Sequence, residues 1–433
     1  MHTSNQKGVT PLMIVLGVIG ILLVSGGVLF VFLLQRLPSL GVSNSNVNLK
    51  TTRLAKISPA HKTRNLLFLQ FSSNGFHVAY QAFDKESSFI VLDGKEGQRY
   101  DSILSSMFSP DGNHFAYTAK KNKKFLVILD GREEVEYESI SSLTFSPDSQ
   151  QLVYAAQSQG KWFVVVNGKK GMVYDQVHNP TFSPDSKQLA YIAQRDGASF
   201  IVLNNAEQKN HFKVFSLKFS PNSQHLAYIA GEEVGQFVGL DEKEYPSYHS
   251  INWLVFSPDS QQLGYVAYKD GKEFLVLNEK EYPSYPSVSM AIFSPDSKRI
   301  AYRVTKDGND FVVFDGKEEK GYNAVLLNTI SFSPDSEKLA YAAQKSGKWF
   351  LVLNGEEGRP YNHVDFPIFN SDSNNLAYFA QKDGIDFIVL NGKSGVGYDY
   401  ITKPLFTSDD QYIIYGARDG DELWWIVEEV EKI

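Results

Sequence analysis

The chain of 433 residues contains no cysteine. This absence excludes a disulfide scaffold, a thiolate metal site and a cysteine nucleophile. The sequence also lacks a G-x-S-x-G elbow, a G-x-x-x-x-G-K-[ST] loop and an H-E-x-x-H pair. Each of these motifs positions a nucleophile, a phosphate or a zinc ion, so their absence removes the commonest signs of catalysis. We therefore expect no cofactor and no metal site.

Acidic residues are absent from the first 70 positions, which carry seven Lys and Arg residues. Residues 71–433 then hold 35 basic and 49 acidic residues, a net charge of −14. An acidic main part argues against general nucleic-acid binding, which requires a basic surface. We expect no nucleic-acid partner.

Charged residues are also missing from residues 12–34, a run of 23 built largely from Leu, Ile, Val, Gly and Phe. As a helix, such a run would rise about 34 Å, enough to cross a hydrocarbon core of about 30 Å. We predict a short tail over 1–11 and a single transmembrane helix over 12–34. A cleavable signal peptide is the alternative, but its apolar core is usually only about 7–15 residues long.

Residues 35–54 are rich in Ser and Asn and become basic, which predicts a flexible linker. The Lys and Arg residues of 50–64 could contact anionic headgroups or be exposed positions on a strand. We predict a single-pass protein of a bacterial cytoplasmic membrane with the main domain outside the cytoplasm. Three Lys or Arg residues follow the apolar run closely and one precedes it, so a domain facing the cytoplasm is the alternative.

A unit of 37 residues repeats ten times after the linker, with a single interval of 39. A Tyr stands nine residues after the Phe that opens each unit, and Ala stands eleven residues after it in nine units. Asp or Asn follows at 22 residues in the first nine units. The opening residues are Phe71, Phe108, Phe145, Phe182, Phe219, Phe256, Phe293, Phe332, Phe369 and Phe406.

Each unit predicts four short antiparallel strands. In residues 141–177, apolar and β-branched segments are separated by Pro147-Asp148-Ser149, Ser158-Gln159-Gly160 and Asn167-Gly168, all typical of turns. Four strands repeated at this period are typical of propeller blades. We therefore predict an all-β fold in which residues 55–433 form a β-propeller of ten blades.

The last unit ends before its fourth strand. The segment near Ile57–Asn65 stands where a preceding fourth strand would lie, so we expect an N-terminal strand to complete the tenth blade. Ten blades exceed the usual four to eight. One closed ring of ten is our prediction, and two rings of five are the alternative.

The sequence F-S-P-D-S-x-x-L-A-Y, present at 182–191 and 332–341, resembles the repeat of TolB-type, WD-repeat-like β-propellers. The resemblance spans 71–433 and implies that the Phe strand is innermost and the fourth strand outermost. Two units depart from the pattern, with Ser73-Asn74-Gly75 in the first turn and Asn370-Ser371 in the ninth.

The repeated aromatic residues are expected to pack between neighbouring blades. Residues that break the repeat are better candidates for function. On the face that carries the loops after the second and fourth strands, we predict a binding site drawn from His178, His249, Trp253, Tyr268, His363 and Asp365. Core packing is the alternative for Trp253.

The predicted function is that of a non-catalytic binding or scaffolding module, held at the cell envelope by its N-terminal helix. Its partner would be another envelope protein, a peptide or a glycan. The alternative is an envelope hydrolase or lyase that uses carboxylates at the mouth of the propeller channel.

Overall fold

The structure is a computed structural model that describes residues 19–24, 28–33, 49–58, 69–84, 87–232 and 235–430. Every element in these ranges is a β-strand. From Gln70 onward the strands form ten antiparallel sheets that follow one another along the chain, and each sheet is one blade. The predicted ten-bladed, all-β architecture is confirmed.

Each blade pairs its strands in chain order, from a first strand that ends on the repeat Phe to a short fourth strand. The first strands are Gln70–Phe71, Ser102–Phe108, Ser139–Phe145, Gln176–Phe182, Lys213–Phe219, Ser250–Phe256, Ser287–Phe293, Ala324–Val325 with Ser331–Phe332, His363–Phe369, and Tyr400–Ile401 with Leu405–Phe406. The second strands are Val78–Phe83, Phe115–Lys121, Leu152–Ser158, Leu189–Arg195, Leu226–Gly231, Leu263–Lys269, Ile300–Lys306, Leu339–Lys345, Leu376–Lys382 and Tyr412–Asp419.

The third and fourth strands lie toward the outside of the ring. The third strands are Ser88–Leu92, Lys124–Leu129, Lys161–Val166, Ala198–Leu203, Gln236–Leu240, Lys272–Leu277, Asn309–Phe314, Lys348–Leu353, Ile385–Leu390 and Glu422–Glu429. The fourth strands are Lys95–Glu96, Arg132–Glu133, Lys169–Tyr174, Ala206–His211, Lys243–Glu244, Lys280–Glu281, Lys317–Glu318, Glu356–Glu357, Lys393–Ser394 and, for blade 10, Leu49–Lys56.

The ten blades close into one ring. First strands of neighbouring blades approach one another, which places them innermost. Buried apolar clusters join each blade to the next, including blade 5 to blade 6 and blade 10 to blade 1. A break into two rings of five would require contacts from blade 5 to blade 1 instead, so the single ring is correct.

The N-terminal strand closes the ring as predicted, but it lies earlier than expected. Leu49–Lys56 pairs antiparallel with Glu422–Glu429 and forms the fourth strand of blade 10. The prediction had placed this strand near Ile57–Asn65, most of which lies outside the described residues. The pairing begins at Leu49, inside the segment interpreted as the linker 35–54, and Arg53 and Lys56 pair with acidic residues of the last blade.

The predicted transmembrane helix over 12–34 is not supported. Within that segment the structure describes two strands, Ile19–Val24 and Val28–Leu33, which pair with each other. No helix among the described residues is long and apolar enough to span a membrane. The tail 1–11 and the rest of the apolar run lie outside the described residues.

The repeated aromatic residues pack between blades, as predicted. The Tyr that follows the fourth strand of one blade meets the second-strand Tyr of the next edge to face, with ring centroids 6.0 Å apart for Tyr100 and Tyr117 and 6.2 Å apart for Tyr361 and Tyr378. The joint between blades 4 and 5 differs, because His211 replaces the first Tyr and its ring centroid lies 5.3 Å from that of Tyr228. Edge-to-face rings add to the free energy of burial.

The Ser-Pro-Asp-Ser turn also links neighbouring blades. Within a turn, the first Ser donates its hydroxyl to the Asp carboxylate, as from Ser146 to Asp148 at 2.6 Å. The Asp backbone N–H then donates to the last Ser of the next blade, as from Asp148 to the Ser186 Oγ at 2.9 Å. Seven joints use this bond, with Asn222 in place of Asp as the donor in blade 5, and the acceptors are Ser149, Ser186, Ser223, Ser260, Ser297, Ser336 and Ser373.

The strand directions define two faces of the ring. The turn face carries the first-to-second and third-to-fourth turns. The loop face carries the second-to-third turns and the connections between blades. Each first strand starts at the loop face, so His363 and Tyr400 lie near it.

Candidate functional site

The six predicted site residues do not form one cluster, because they belong to blades 4, 6 and 9. His178 is exposed on the first strand of blade 4, with Nε2 3.0 Å from the Gln176 Oε1. His249 and Tyr268 form a pair on blade 6, with ring centroids 5.6 Å apart in an edge-to-face arrangement.

Trp253 is half-buried and belongs to the wall between inner strands. Its indole Nε1 donates to the Ala291 carbonyl of blade 7 at 3.0 Å. The ring also packs against two apolar clusters, one between blades 6 and 7 and one between blades 7 and 8. This geometry explains Trp253 as a packing residue, which is the alternative that the sequence analysis left open.

His363 and Asp365 come together on the first strand of blade 9. The His363 Nε2 lies 3.7 Å from the Asp365 Oδ2. The imidazole is half-buried between Trp349 and Phe379, with ring centroids 5.8 and 6.0 Å away. The Asp365 Oδ1 accepts the backbone N–H of Phe366 at 2.7 Å, which fixes the carboxylate and the next residue together.

The position three residues before each repeat Phe shows a strong asymmetry around the channel. In blades 3, 4, 6 and 9 the strand pairing skips this residue, which forms a bulge, whereas in blades 2 and 5 the residue stays paired. Blades 2 to 5 and blade 8 have small polar residues at it, whereas blades 6, 7, 9 and 10 have large ones. We call these residues the channel ring: Ser105, Ser142, Asn179, Ser216, Trp253, Met290, Thr329, Phe366 and Lys403.

Two aromatic members of the channel ring have left-handed backbone conformations. Trp253 has φ +59° and Phe366 has φ +50°, whereas Ser142 and Asn179 have φ +57° and +51° at the same position. Asn tolerates this conformation, but a bulky aromatic residue rarely adopts it. Trp253 gains a hydrogen bond and packing in return. The Phe366 ring remains 37% exposed and touches Phe379 edge to face, with centroids 6.4 Å apart.

Lys403 stands at the equivalent position of blade 10, three residues before Phe406. Burial lowers the pKa of its ammonium, and the negative charge of Asp365 partly opposes that shift. Tyr400 starts the same inner strand, is 39% exposed and has a raised phenol pKa, mainly through burial. We call His363, Asp365, Phe366, Tyr400 and Lys403 the blade 9–10 site.

Asp386 lies behind the blade 9–10 site and has a structural role. Burial raises the pKa of its carboxyl, although hydrogen bonds from Gln381 at 2.8 Å and from the Ile401 backbone favour the ionised form. The equivalent Glu273 and Asp310 accept the first-strand N–H of the next blade in the same way, at 2.7 and 3.0 Å. A carboxylate at this position therefore accepts a backbone N–H of the next blade, and the same link recurs at other blades of the propeller.

Lys218 is a second lysine in the inner wall, on blade 5. Its Nζ donates to the Leu254 carbonyl of blade 6 at 3.0 Å. Burial lowers the pKa of the ammonium to about 8. On blade 1, Gln70 makes the same link to the Ser106 carbonyl at 2.8 Å, so the Lys218 bond is a joint between inner strands.

Histidines elsewhere pair with the repeat Asp of their own blade. The Nδ1 atoms of His77, His114 and His225 lie 2.7 to 2.8 Å from a carboxylate oxygen of Asp93, Asp130 and Asp241. The other oxygen of each carboxylate accepts a second-strand N–H. Within the described part of the chain, no three His, Asp or Glu residues are grouped for a metal ion.

Two of the five residues of the blade 9–10 site, His363 and Asp365, are among those predicted from the sequence. Phe366, Tyr400 and Lys403 are not. A signal was present, because aligning the units on their Phe places Lys403 and Phe366 against Ser and Asn in blades 2 to 5.

Comparisons with known proteins find distant structural similarity to other chains. No protein-family model and no curated protein matches the chain. A eukaryotic initiation factor is 12% identical, with 76% of this chain and 96% of that chain covered and a TM-score of 0.48. TolB from Acinetobacter baumannii is 12% identical, with 59% and 77% covered and a TM-score of 0.29.

The β-propeller domain of the Trilobed protease from Pyrococcus furiosus is also 12% identical, with 59% of this chain and 94% of that chain covered and a TM-score of 0.33. At such scores the propeller assignment rests on the strand order of this chain. Ten four-stranded blades confirm the resemblance to TolB-type, WD-repeat-like propellers at the level of fold.

Proposed function

We propose that the protein is a non-catalytic binding module whose ligand contacts the blade 9–10 site on the channel wall. The observation that carries this proposal is Phe366, a large aromatic residue held at φ +50° with much of its ring exposed. Strained backbone persists only where the surrounding structure imposes it, and it concentrates at functional sites. The bulge itself is shared with Ser142, Asn179 and Trp253, so the feature that a ligand would explain is an exposed aromatic side chain at this position.

The surroundings of Phe366 favour recognition. Asp365 precedes Phe366, and its carboxylate lies 3.7 Å from the His363 Nε2, so an acceptor and an imidazole accompany the exposed ring. An aromatic anchor with polar groups at its rim is the usual composition of a binding hot spot. The remaining blades offer a rigid frame, because each is joined to the next by buried aromatic residues and by the turn bonds.

The alternative function, a hydrolase or lyase with a site at the channel mouth, has less support. Carboxylate-based glycoside hydrolysis uses two carboxylates about 5–9 Å apart. Within the described residues of the ten first strands, Asp365 is the one carboxylate, and its Oδ1 already accepts the Phe366 N–H.

Site-specific photocrosslinking in cells tests the proposal. A photoreactive Tyr400→p-benzoylphenylalanine variant should give a defined adduct, and adding Phe366→Asn should abolish it. Lys187→p-benzoylphenylalanine is the control, since this side chain is 82% exposed on the turn face, five blades away. An adduct that forms equally from both positions, or that survives Phe366→Asn, would overturn the assigned site.

Membrane attachment is a second part of the proposed function, and the apolar run 12–34 supports it. The clasp strand, Leu49–Lys56, sets how such an attachment would orient the ring. Leu49 pairs with Glu428 near the turn face and Lys56 with Glu422 near the loop face, so the N-terminal segment arrives at the turn face. The loop face would then point away from the membrane and toward a partner in the envelope.

Cell fractionation tests this attachment. The full chain should sediment with membranes, and a variant lacking residues 12–34 should be released. Protease treatment of intact cells then decides the side, because a propeller outside the cytoplasm is digested and one inside survives. A full chain that stays soluble would contradict the proposal.

A further inference from the structure

The fourth strands of blades 3 and 4 are longer than those of the neighbouring blades. Lys169–Tyr174 and Ala206–His211 have six residues each. The fourth strands of blades 1, 2 and 5 to 9 have two. Both long strands are outermost in their sheets, and no other strand in the described part of the chain pairs with their outer sides. Blades 3 and 4 therefore end on a continuous edge to which another strand can add.

Proline interrupts the same stretch in three other blades. Pro246 and Pro283 stand at the position of Met172 in blades 5 and 6, and Pro360 stands at that of Val173 in blade 8. Proline removes a backbone donor and so blunts an exposed edge. Lys169–Tyr174, which we call the blade 3 edge, contains no proline and keeps its donors.

The backbone of Val173 faces outward at the blade 3 edge. In blade 2, Tyr137 exchanges both backbone hydrogen bonds with Phe125, at 2.7 and 2.9 Å. Tyr174 has the same register opposite Trp162. Because inward and outward groups alternate along an antiparallel strand, the N–H and C=O of Val173 point away from the blade. The Val173 side chain is 55% exposed, so an added strand finds both backbone partners and an apolar contact there.

The charges at the blade 3 edge are the reverse of those in other blades. In blade 2, Lys121 at the end of the second strand pairs with Glu133 of the fourth strand at 3.0 Å. The same pair occurs in blades 4, 7 and 8. In blade 3, Ser158 replaces the cation and Lys170 replaces the glutamate. The change leaves a basic residue where the other edges have a neutralised carboxylate.

Lys170 lies on aromatic rings and pairs with no carboxylate of the described residues. Its Nζ is 5.3 Å from the ring centroid of Tyr137 and 5.2 Å from that of Phe163. Lys169 is also exposed and has no ion pair with a described carboxylate. The blade 3 edge is therefore basic and partly apolar, and its charge is complementary to that of an acidic strand.

The blade 4 edge has the same backbone form without these side chains. Glu207 pairs with Arg195, and Lys209 pairs with Glu244 of blade 5. None of the residues of Ala206–His211 is an exposed large hydrophobic residue. Blade 4 thus provides a matched control within the same chain.

A second copy of the chain is a poorer occupant of the blade 3 edge than an acidic peptide. Pairing two such edges would bring two copies each of Lys169 and Lys170 into one sheet, and neither strand contains a carboxylate. Like charges on adjoining strands destabilise their pairing.

We propose that blade 3 binds an extended acidic peptide, which adds as a fifth strand along Lys169–Tyr174 with its carboxylates facing Lys169 and Lys170. The blade 3 edge lies on the outside of the ring, so this is a second binding surface, separate from the blade 9–10 site.

Fluorescence anisotropy with the full chain tests this second surface. The probe is a labelled peptide of alternating valine and glutamate, six residues long like the strand it pairs with. This peptide should bind. The same peptide with lysine in place of glutamate, or with N-methylated backbone amides, should not bind, because it lacks the charge or the donors.

Two variants of the blade 3 edge separate charge from backbone pairing. Lys170→Glu and Val173→Pro should each lower the affinity by about tenfold or more. Val173→Pro introduces the proline that blade 8 carries at the equivalent position and removes an outward donor only. Asn210→Pro makes the matched change on blade 4, since Asn210 pairs with Phe200 as Val173 pairs with Phe163, and it should bind like the wild type.

Several outcomes would overturn the proposal. They are failure of the acidic peptide to bind the wild type, equal binding of the lysine peptide, binding that survives both blade 3 variants, and an equal loss in Asn210→Pro. A dimer seen by sedimentation velocity and dissociated by Val173→Pro would show that a second copy occupies the edge instead. Phe366→Asn should leave peptide binding unchanged, and a loss there would place the peptide at the blade 9–10 site. If urea denaturation shows that Val173→Pro is unfolded, Lys170→Glu decides.

Discussion

The indole of Trp425 lies directly over Gly75 where blade 10 meets blade 1. A Cβ at position 75 would come within 2.4 Å of that indole. Trp425 therefore leaves no room for a side chain at position 75, where most of the other turns carry Ser. Gly416 has the same relationship with Phe71, whose ring lies 2.4 Å from a Cβ built there. The contact between blades 10 and 1 therefore packs two aromatic side chains against two glycines.

Gly75→Ala should destabilise the ring closure. Overpacking in a filled interface costs about 1–3 kcal/mol, and the positive φ of Gly75 adds strain for any side chain. Gly131→Ala is the control, because Gly131 has a similar φ of +79° against +77° and no atom within 4 Å of a built Cβ. In urea denaturation, Gly75→Ala should lose more stability than Gly131→Ala, and equal losses would show that Trp425 does not restrict position 75.

The clasp strand should be sensitive to charge and salt. The Arg53 Nη1 lies 3.2 Å from the Glu422 Oε1, and the Lys56 Nζ lies 3.3 Å from the Asp421 Oδ2. Exposed pairs of this kind contribute about 0.2–1 kcal/mol each and weaken as salt screens them. Arg53→Glu should lower the denaturation midpoint, and the swap Arg53→Glu with Glu422→Arg should restore it. Failure of the swap to rescue would mean that the pair contributes nothing.

The bond from the Asp185 N–H to the Ser223 Oγ offers a test of the inter-blade turns. It measures 3.0 Å, and Ser223 is buried. Ser223→Ala leaves a backbone donor without its acceptor and should cost about 1–2 kcal/mol of unfolding free energy. Ser247→Ala, at an exposed position, should stay within about 0.5 kcal/mol of the wild type.

The repeat made the blades predictable, because spacing and turn residues are local properties. Asn167-Gly168 forms the expected hairpin turn, and both residues have positive φ. The bounds of the clasp strand were harder, since Leu49–Lys56 follows no repeat and its partner lies more than 360 residues away. For residues 12–34, the helix predicted from apolar composition is not supported, because the structure describes the strands Ile19–Val24 and Val28–Leu33 there.

The candidate site was only partly predictable for a related reason. Polar residues such as His363 stand out in an apolar repeat, whereas an extra Phe does not. The significance of Phe366 depends on its backbone conformation and its exposure, and neither can be read from the residue type. Trp253 shows the converse, since its prominence in the sequence reflects packing across blade 7.

His211 should make stability depend on pH. Burial, assisted by the charge of Lys209, lowers its pKa below the usual value, while Glu232 and Glu244 oppose the shift. The unfolded chain then binds a proton more readily than the folded one, so this group reduces stability as pH falls below about 6.5. Urea denaturation at pH 7.5 and 5.5 should show a loss in the wild type that is smaller in His211→Phe. An identical loss of stability in the wild type and in His211→Phe would mean that groups other than His211 cause the pH dependence.

Phe366→Asn and Trp253→Asn make the same change at equivalent positions and should differ in their effect on stability. Asn relieves the left-handed strain at both, a gain of about 1–2 kcal/mol. At position 366 the loss is one partly exposed ring contact, so the free energy of unfolding should remain within about 1 kcal/mol of the wild type. At position 253 the substitution also removes the bond to the Ala291 carbonyl and the packing of a half-buried indole, which should cost about 3 kcal/mol. Thermal and urea denaturation of the two variants measure this difference in stability. A large loss of unfolding free energy in Phe366→Asn would show that Phe366 is a packing residue, and no ligand would then be needed to account for it.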